Sequence, residues 1–144
     1  MTILQSVFGS PKVFLPVIHP LSEKTALQSI ACAVNADADG IFLINQGMSG
    51  KEVLSFNNKV RSLYPDLWIG INLLGYYTHE TFEALSVGDF NGLWRDNAQV
   101  DENETTQSFP EKFATVRSES GWKGIYFGGV AFKGQRPGAV PQTG

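Results

Sequence analysis

The sequence predicts an α/β protein made of βα repeats around a parallel sheet, and three observations carry that prediction. Five short apolar runs recur along the chain: Lys12 to His19, Gly40 to Asn45, Leu67 to Asn72, Gly92 to Asp96 and Gly124 to Phe127. Their first strand-like residues, Val13, Ile41, Trp68, Leu93 and Ile125, are spaced by 28, 27, 25 and 32 residues, the length of one strand and a returning helix. The runs are short and rich in Ile, Leu, Val and aromatic residues, as parallel strands covered on both faces must be. Four of the five close on polar or ionisable residues, and parallel α/β sheets bind ligands at the carboxyl ends of their strands.

Each intervening segment carries helix signals. After the first run, Ser22 is a good N-cap, and Ala26, Leu27, Ile30, Ala31 and Val34 follow at helical spacing up to a stop between Asn35 and Gly40. Ser49 and Glu52 form a capping box for a second helix with Val53, Leu54, Phe56, Val60 and Leu63 behind it, and Pro65 ends it. Thr78 is the expected cap of a shorter third helix bearing Phe82 and Leu85, which stops before Gly88. Ser108 is the expected cap of a fourth, with Pro110 in its first turn, Phe113 and Val116 on its apolar face, and a stop near Gly121. Asp101 to Gln107 reads as a polar loop between the fourth strand and the fourth helix.

The 144 residues suit one domain with a core of its own, which the pattern places at 1–133, and the Gly- and Pro-rich 134–144 reads as a flexible tail. Hydrophobic residues at 42% and charged residues at 17% describe an ordinary globular chain, and a net charge of -3 with scattered cations argues against a nucleic-acid footprint. Cys32 is the sole cysteine, so no intrachain disulfide forms and a reducing compartment is the simpler expectation. Met1 to Pro11 lacks the pattern of a secretion signal, and no apolar stretch approaches the roughly 20 residues of a membrane span. The expected location is therefore cytoplasmic.

Five units are too few to close a parallel barrel, which takes eight. The predicted sheet is either open and doubly wound or about five strands of a barrel-like fold that this chain alone does not close, and its uncovered edge would then suit pairing with a second copy.

The closing residues of the runs supply the candidate site. His19, before Pro20, is an acid-base candidate, with an ordinary pKa near 6.5. Asn45 and Asn72 close the second and third runs and suit positioning of a hydroxyl or carbonyl, since a carboxamide does not ionise. The fourth run ends Arg95, Asp96, Asn97, the densest polar group in the chain. Strand alternation sends Arg95 and Asn97 to one face and Asp96 to the other. Asp96 is a second acid-base candidate, Asn97 a substrate-positioning one, and Arg95 would neutralise an anion. Gly128 and Gly129 let backbone approach a ligand, and Lys133 adds charge, a pattern that suits a phosphate without matching a P-loop or a dinucleotide fingerprint. No Cys/His cluster marks a metal site, and the sequence names no cofactor.

The strand-end segments ADGIFLIN, WIGIN, GLWRDNA and GIYFGGVAFK resemble TIM-barrel proteins of the BtpA type and their uncharacterised relatives, over about residues 12 to 133. The resemblance implies a phosphate-binding (β/α) barrel and, by the family's name, a link to photosystem I accumulation. It implies two functional readings. One is a barrel-type protein that binds or transforms a small phosphorylated or polyhydroxylated metabolite, and the other is a non-catalytic assembly protein acting through its sheet edge.

Overall fold

The computed structural model describes residues 1–101 and 103–130. Its elements run α1 (Ile3–Phe8), β1 (Val17–Ile18), α2 (Glu23–Asn35), β2 (Ile41–Ile44), α3 (Gly50–Leu63), β3 (Ile69–Asn72), α4 (Thr78–Val87), β4 (Gly92–Arg95), α5 (Ser108–Ser120) and β5 (Ile125–Gly128). The five strands form one all-parallel sheet in the order β1-β2-β3-β4-β5, which does not close on itself among the described residues. Residues 134–144, expected to be a flexible tail, lie outside the described residues.

Sequential strand order decides between the two architectures the sequence left open. When every crossover steps in the same direction with the same hand, all returning helices land on one face, whereas a doubly wound sheet reverses its order at a switch point and fills both. The core shows the first arrangement. Ile41, Leu43, Ile69, Ile71 and Leu93 pack in one cluster with Ala26, Ile30, Val53, Phe56, Val60, Phe82, Leu85, Phe113 and Val116, so α2 to α5 all cover this helical face. The alternate strand residues point the other way and make an aromatic face of Phe42, Trp68, Trp94, Ile125 and Phe127, on which Phe8 of α1 and Leu15 also pack. The fold is thus a singly wound α/β sheet of the barrel-like kind.

The aromatic face is built around glycines. Gly70 and Gly92 face each other in the β3–β4 register, and a Cβ at either would run into the Phe42 or Trp68 ring. The two gaps let Phe42 lie edge-on to Trp68, Trp94 and Phe127 at centroid distances of 5.3, 5.9 and 5.5 Å.

Most element ends follow the predicted chemistry. Ser22 caps α2, the Ser49 and Glu52 capping box starts α3, and Gly121 closes α5 in the left-handed conformation at φ 71°. Two caps differ by one residue. Helix α4 starts at Thr78 because the Glu80 carboxylate accepts from the Tyr77 N–H, so Thr78 is a buried first-turn residue and not the cap. Helix α5 starts at Ser108, and its cap is Gln107, whose carboxamide donates to the Asp101 and Glu104 carbonyls and accepts from the Asp101 N–H.

The first strand is also shorter than its apolar run. Residues from Phe14 already run beside the chain before β2, with the Phe14 carbonyl accepting from Asp39 and the Pro16 carbonyl from Phe42. Pro16 has no N–H to return, so regular pairing is confined to Val17 and Ile18, an arrangement tolerated at a sheet edge. No helix among the described residues is long and apolar enough to cross a membrane.

Candidate functional site

The carboxyl ends of the strands are joined into a continuous rim by packing between successive loops. Gly47, at φ 100°, sits against Leu21 of the β1–α2 loop, and Gly50, the first residue of α3, leaves no room for a Cβ beneath the Tyr76 hydroxyl of the β3–α4 loop. Asn45 ties the same two loops by hydrogen bonds, its Nδ2 donating to the Leu74 carbonyl at 2.9 Å and its Oδ1 accepting from the Leu74 N–H. Its carboxamide is therefore committed to holding the loop after β3.

The next two candidates meet. Asn72, 3% exposed at the end of β3, donates from Nδ2 to Oδ1 of Asp96 at 3.0 Å. Asn72 shares the parity of Gly70 and Phe42's partner position, so it lies on the aromatic face, and its bond brings the half-buried Asp96 there as well. Trp94, two residues before Asp96 and half-buried, belongs to the same face. A carboxylate, a carboxamide and an aromatic ring are thus collected on one side of the sheet at the β3 and β4 ends. Among the described residues, no cation forms an ion pair with Asp96.

Arg95 goes to the other side, as strand alternation requires. Its guanidinium lies over the Phe109 and Phe113 rings of α5, 5.3 and 5.4 Å from their centroids, which places it on the helical face and away from the Asn72 and Asp96 pair. Asn97 turns its Oδ1 to the Gln99 N–H at 2.7 Å and stabilises a local turn in which Gln99 has φ 55°. His19 is exposed beyond β1, three strand positions from β4, or roughly 14 Å on a flat sheet at the usual strand spacing. The two acid-base candidates are not in contact.

The paired glycines serve a close approach, but to their own chain. Gly129 donates its N–H to the Arg95 carbonyl and accepts from the Ala98 N–H, both at 2.8 Å, and a Cβ there would run into the Asp96 carbonyl. Gly128 stands opposite Arg95 in the β4–β5 register. Together they clamp the backbone that carries Asp96. Lys133 lies outside the described residues.

Trp94 shares this face with Asp96, and its position there was not singled out from the sequence. The signal was present in GLWRD: if Asp96 is functional, the residue two positions earlier must share its face. Among the described residues no group of three or more His, Cys, Asp or Glu side chains is arranged to hold a metal ion. No protein-family profile, curated protein or solved structure matches this chain.

Proposed function

We propose that the rim binds a small polyhydroxylated metabolite at Asn72 and Asp96, with Trp94 as the apolar wall. The single observation that carries this reading is the Asn72 to Asp96 hydrogen bond at 3.0 Å on the aromatic face. A carboxylate accepts from two neighbouring hydroxyls, and a carboxamide beside it fixes its orientation before the ligand arrives. An aromatic ring next to such a pair offers its face to the C–H side of a sugar-like molecule. Asp96 is also the group available for proton transfer within this cluster.

Between the two ligand types, the backbone favours the polyhydroxylated one over the phosphorylated one. The Gly129 N–H, which a phosphate would need, is already donated to Arg95, and the Arg95 guanidinium faces α5. The relation to BtpA-type barrels remains part of the proposal, supported by the singly wound strand order. Calorimetric titration with a panel of monosaccharides and linear polyols tests it. Saturable binding that weakens about tenfold or more in Asp96→Asn, with thermal stability retained, is expected. Absence of saturable binding, or binding indifferent to Asp96→Asn, would overturn it.

A second reading, association through the sheet edge, draws on β1 and β5 each pairing with one neighbour among the described residues. Light scattering across a dilution series tests it, and a monomer at every concentration would count against it.

A further inference from the structure

The helical face carries a cavity of about 470 Å³ beside β5, bounded by Val100, Phe113, Arg117, Trp122, Lys123 and Tyr126. Its walls are aromatic. Phe113 and Tyr126 lie 4.7 Å apart between ring centroids, and Trp122 faces the Arg117 guanidinium at 5.6 Å. Its charge is one-sided, because Arg117 and Lys123 line it and no Asp or Glu does among the described residues. Behind Phe113 stands Arg95, whose Nη1 is buried without a hydrogen-bond partner among the described residues.

We propose that this cavity binds a small apolar carboxylate, its hydrocarbon body against Phe113, Trp122 and Tyr126 and its carboxylate between Arg117 and Lys123. The volume falls in the range of small-molecule sites, roughly 300–1,000 Å³, and such sites combine an apolar lining with a few placed polar groups. Cations at a low-dielectric wall concentrate anions. The Tyr126 phenol, protonated at neutral pH and pushed further up by burial, is available as a donor. Other occupants fit less well. Residues 131–144 contain Lys133 and Arg136 and no acidic side chain, the wrong charge for this lining.

The test titrates the full chain with 3-phenylpropionate and with its neutral amide, followed by calorimetry and by the indole resonances. Lys123 and Ala114, which both line the cavity, are exposed, so Lys123→Gln and Ala114→Phe leave the core intact. The acid should bind saturably, the amide about tenfold more weakly, and Lys123→Gln should weaken the acid by about the same factor. Ala114→Phe, which fills the cavity, should abolish binding without a change in circular dichroism. Equal binding of acid and amide, or wild-type binding by both variants, would overturn the proposal. So would exclusion of the probe by a concentration-dependent dimer, or by residues 131–144 showing nuclear Overhauser contacts to Trp122.

Discussion

Replacing Arg61 by alanine should cost more stability than any other single exposed-to-intermediate side chain on the amino-terminal side of the sheet. Arg61 leaves the last turn of α3 and reaches the two segments that lead into β3 and β4. Its Nη1 donates to the Pro65 and Leu67 carbonyls, and its Nη2 donates to the Asp89 carbonyl and the Asn91 Oδ1, both at 3.0 Å. Asn91 Oδ1 in turn accepts from the Ile69 N–H at the start of β3. Two of the four bonds, to Leu67 and Asn91, are partly buried, and removing the donor leaves those acceptors short of a partner at about 1–2 kcal/mol each. The other two acceptors are exposed, and water replaces the guanidinium there. The Asp89 carboxylate adds little: it lies 3.0 Å from Nε, but its side chain is 69% exposed, and such pairs contribute less than about 1 kcal/mol. The expected loss for Arg61→Ala is about 2–4 kcal/mol, which lowers Tm by roughly 5–15 °C in a chain of this size. Urea and thermal unfolding followed by circular dichroism measure it, with Asp89→Asn as the control for the charge pair. A loss under about 0.5 kcal/mol for Arg61→Ala, or an equal loss for Asp89→Asn, would refute the carbonyl-anchor account.

Gly129→Ala forces a methyl against the Asp96 carbonyl and should destabilise by about 1–3 kcal/mol while shifting the Asp96 resonances, both visible in one denaturation and one heteronuclear spectrum. Asn45→Ala should cost about 1–2 kcal/mol and raise hydrogen exchange at Leu74, whose N–H loses its acceptor. Glu52 is held below its ordinary carboxyl pKa by hydrogen bonds from Ser49, so its contribution is present above the unfolded value of 4.5 and is lost as pH falls through the lower folded value. The stability gap between wild type and Glu52→Gln should therefore narrow on acidification, and a gap independent of pH would count against the box. Tyr126 shifts the opposite way, so absorbance titration of the phenols should show one tyrosine ionising above the ordinary value of 10.0, and Tyr126→Phe should remove that step.

The strand and helix pattern was legible because each helix carries its own capping chemistry and each buried strand is an unbroken apolar run. Ser49, Glu52 and Gly121 act through neighbours within a few residues, which is the range over which sequence speaks directly. Helix α1 was missed for the opposite reason. Its Thr2 and Gln5 capping box and Gly9 terminus are present, but six residues with none buried give no apolar periodicity to detect. Strand order was not legible, since order is set by crossover direction and not by any residue.

The site divides along the same line. Alternation correctly separated Arg95 from Asp96, and the pairing of Asn72 with Asp96 followed only once β3 and β4 were neighbours. The roles of Asn45 and Gly129 needed the third dimension, because each spends its polar groups on backbone from another loop. Asn57 and Arg61 gave no signal in the sequence, since both reach the Asp89 carbonyl on a segment about thirty positions away.

We propose that Asn72, Asp96 and Trp94 form one binding surface at the carboxyl end of the sheet. A heteronuclear NMR titration of the full chain with a sugar and polyol panel addresses it most directly. Saturable shifts concentrated on the Asn72 side-chain amide, the Asp96 backbone and the Trp94 indole are expected, as is their disappearance in Asp96→Asn. Saturable shifts confined to other surfaces, or none with any member of the panel, would contradict it.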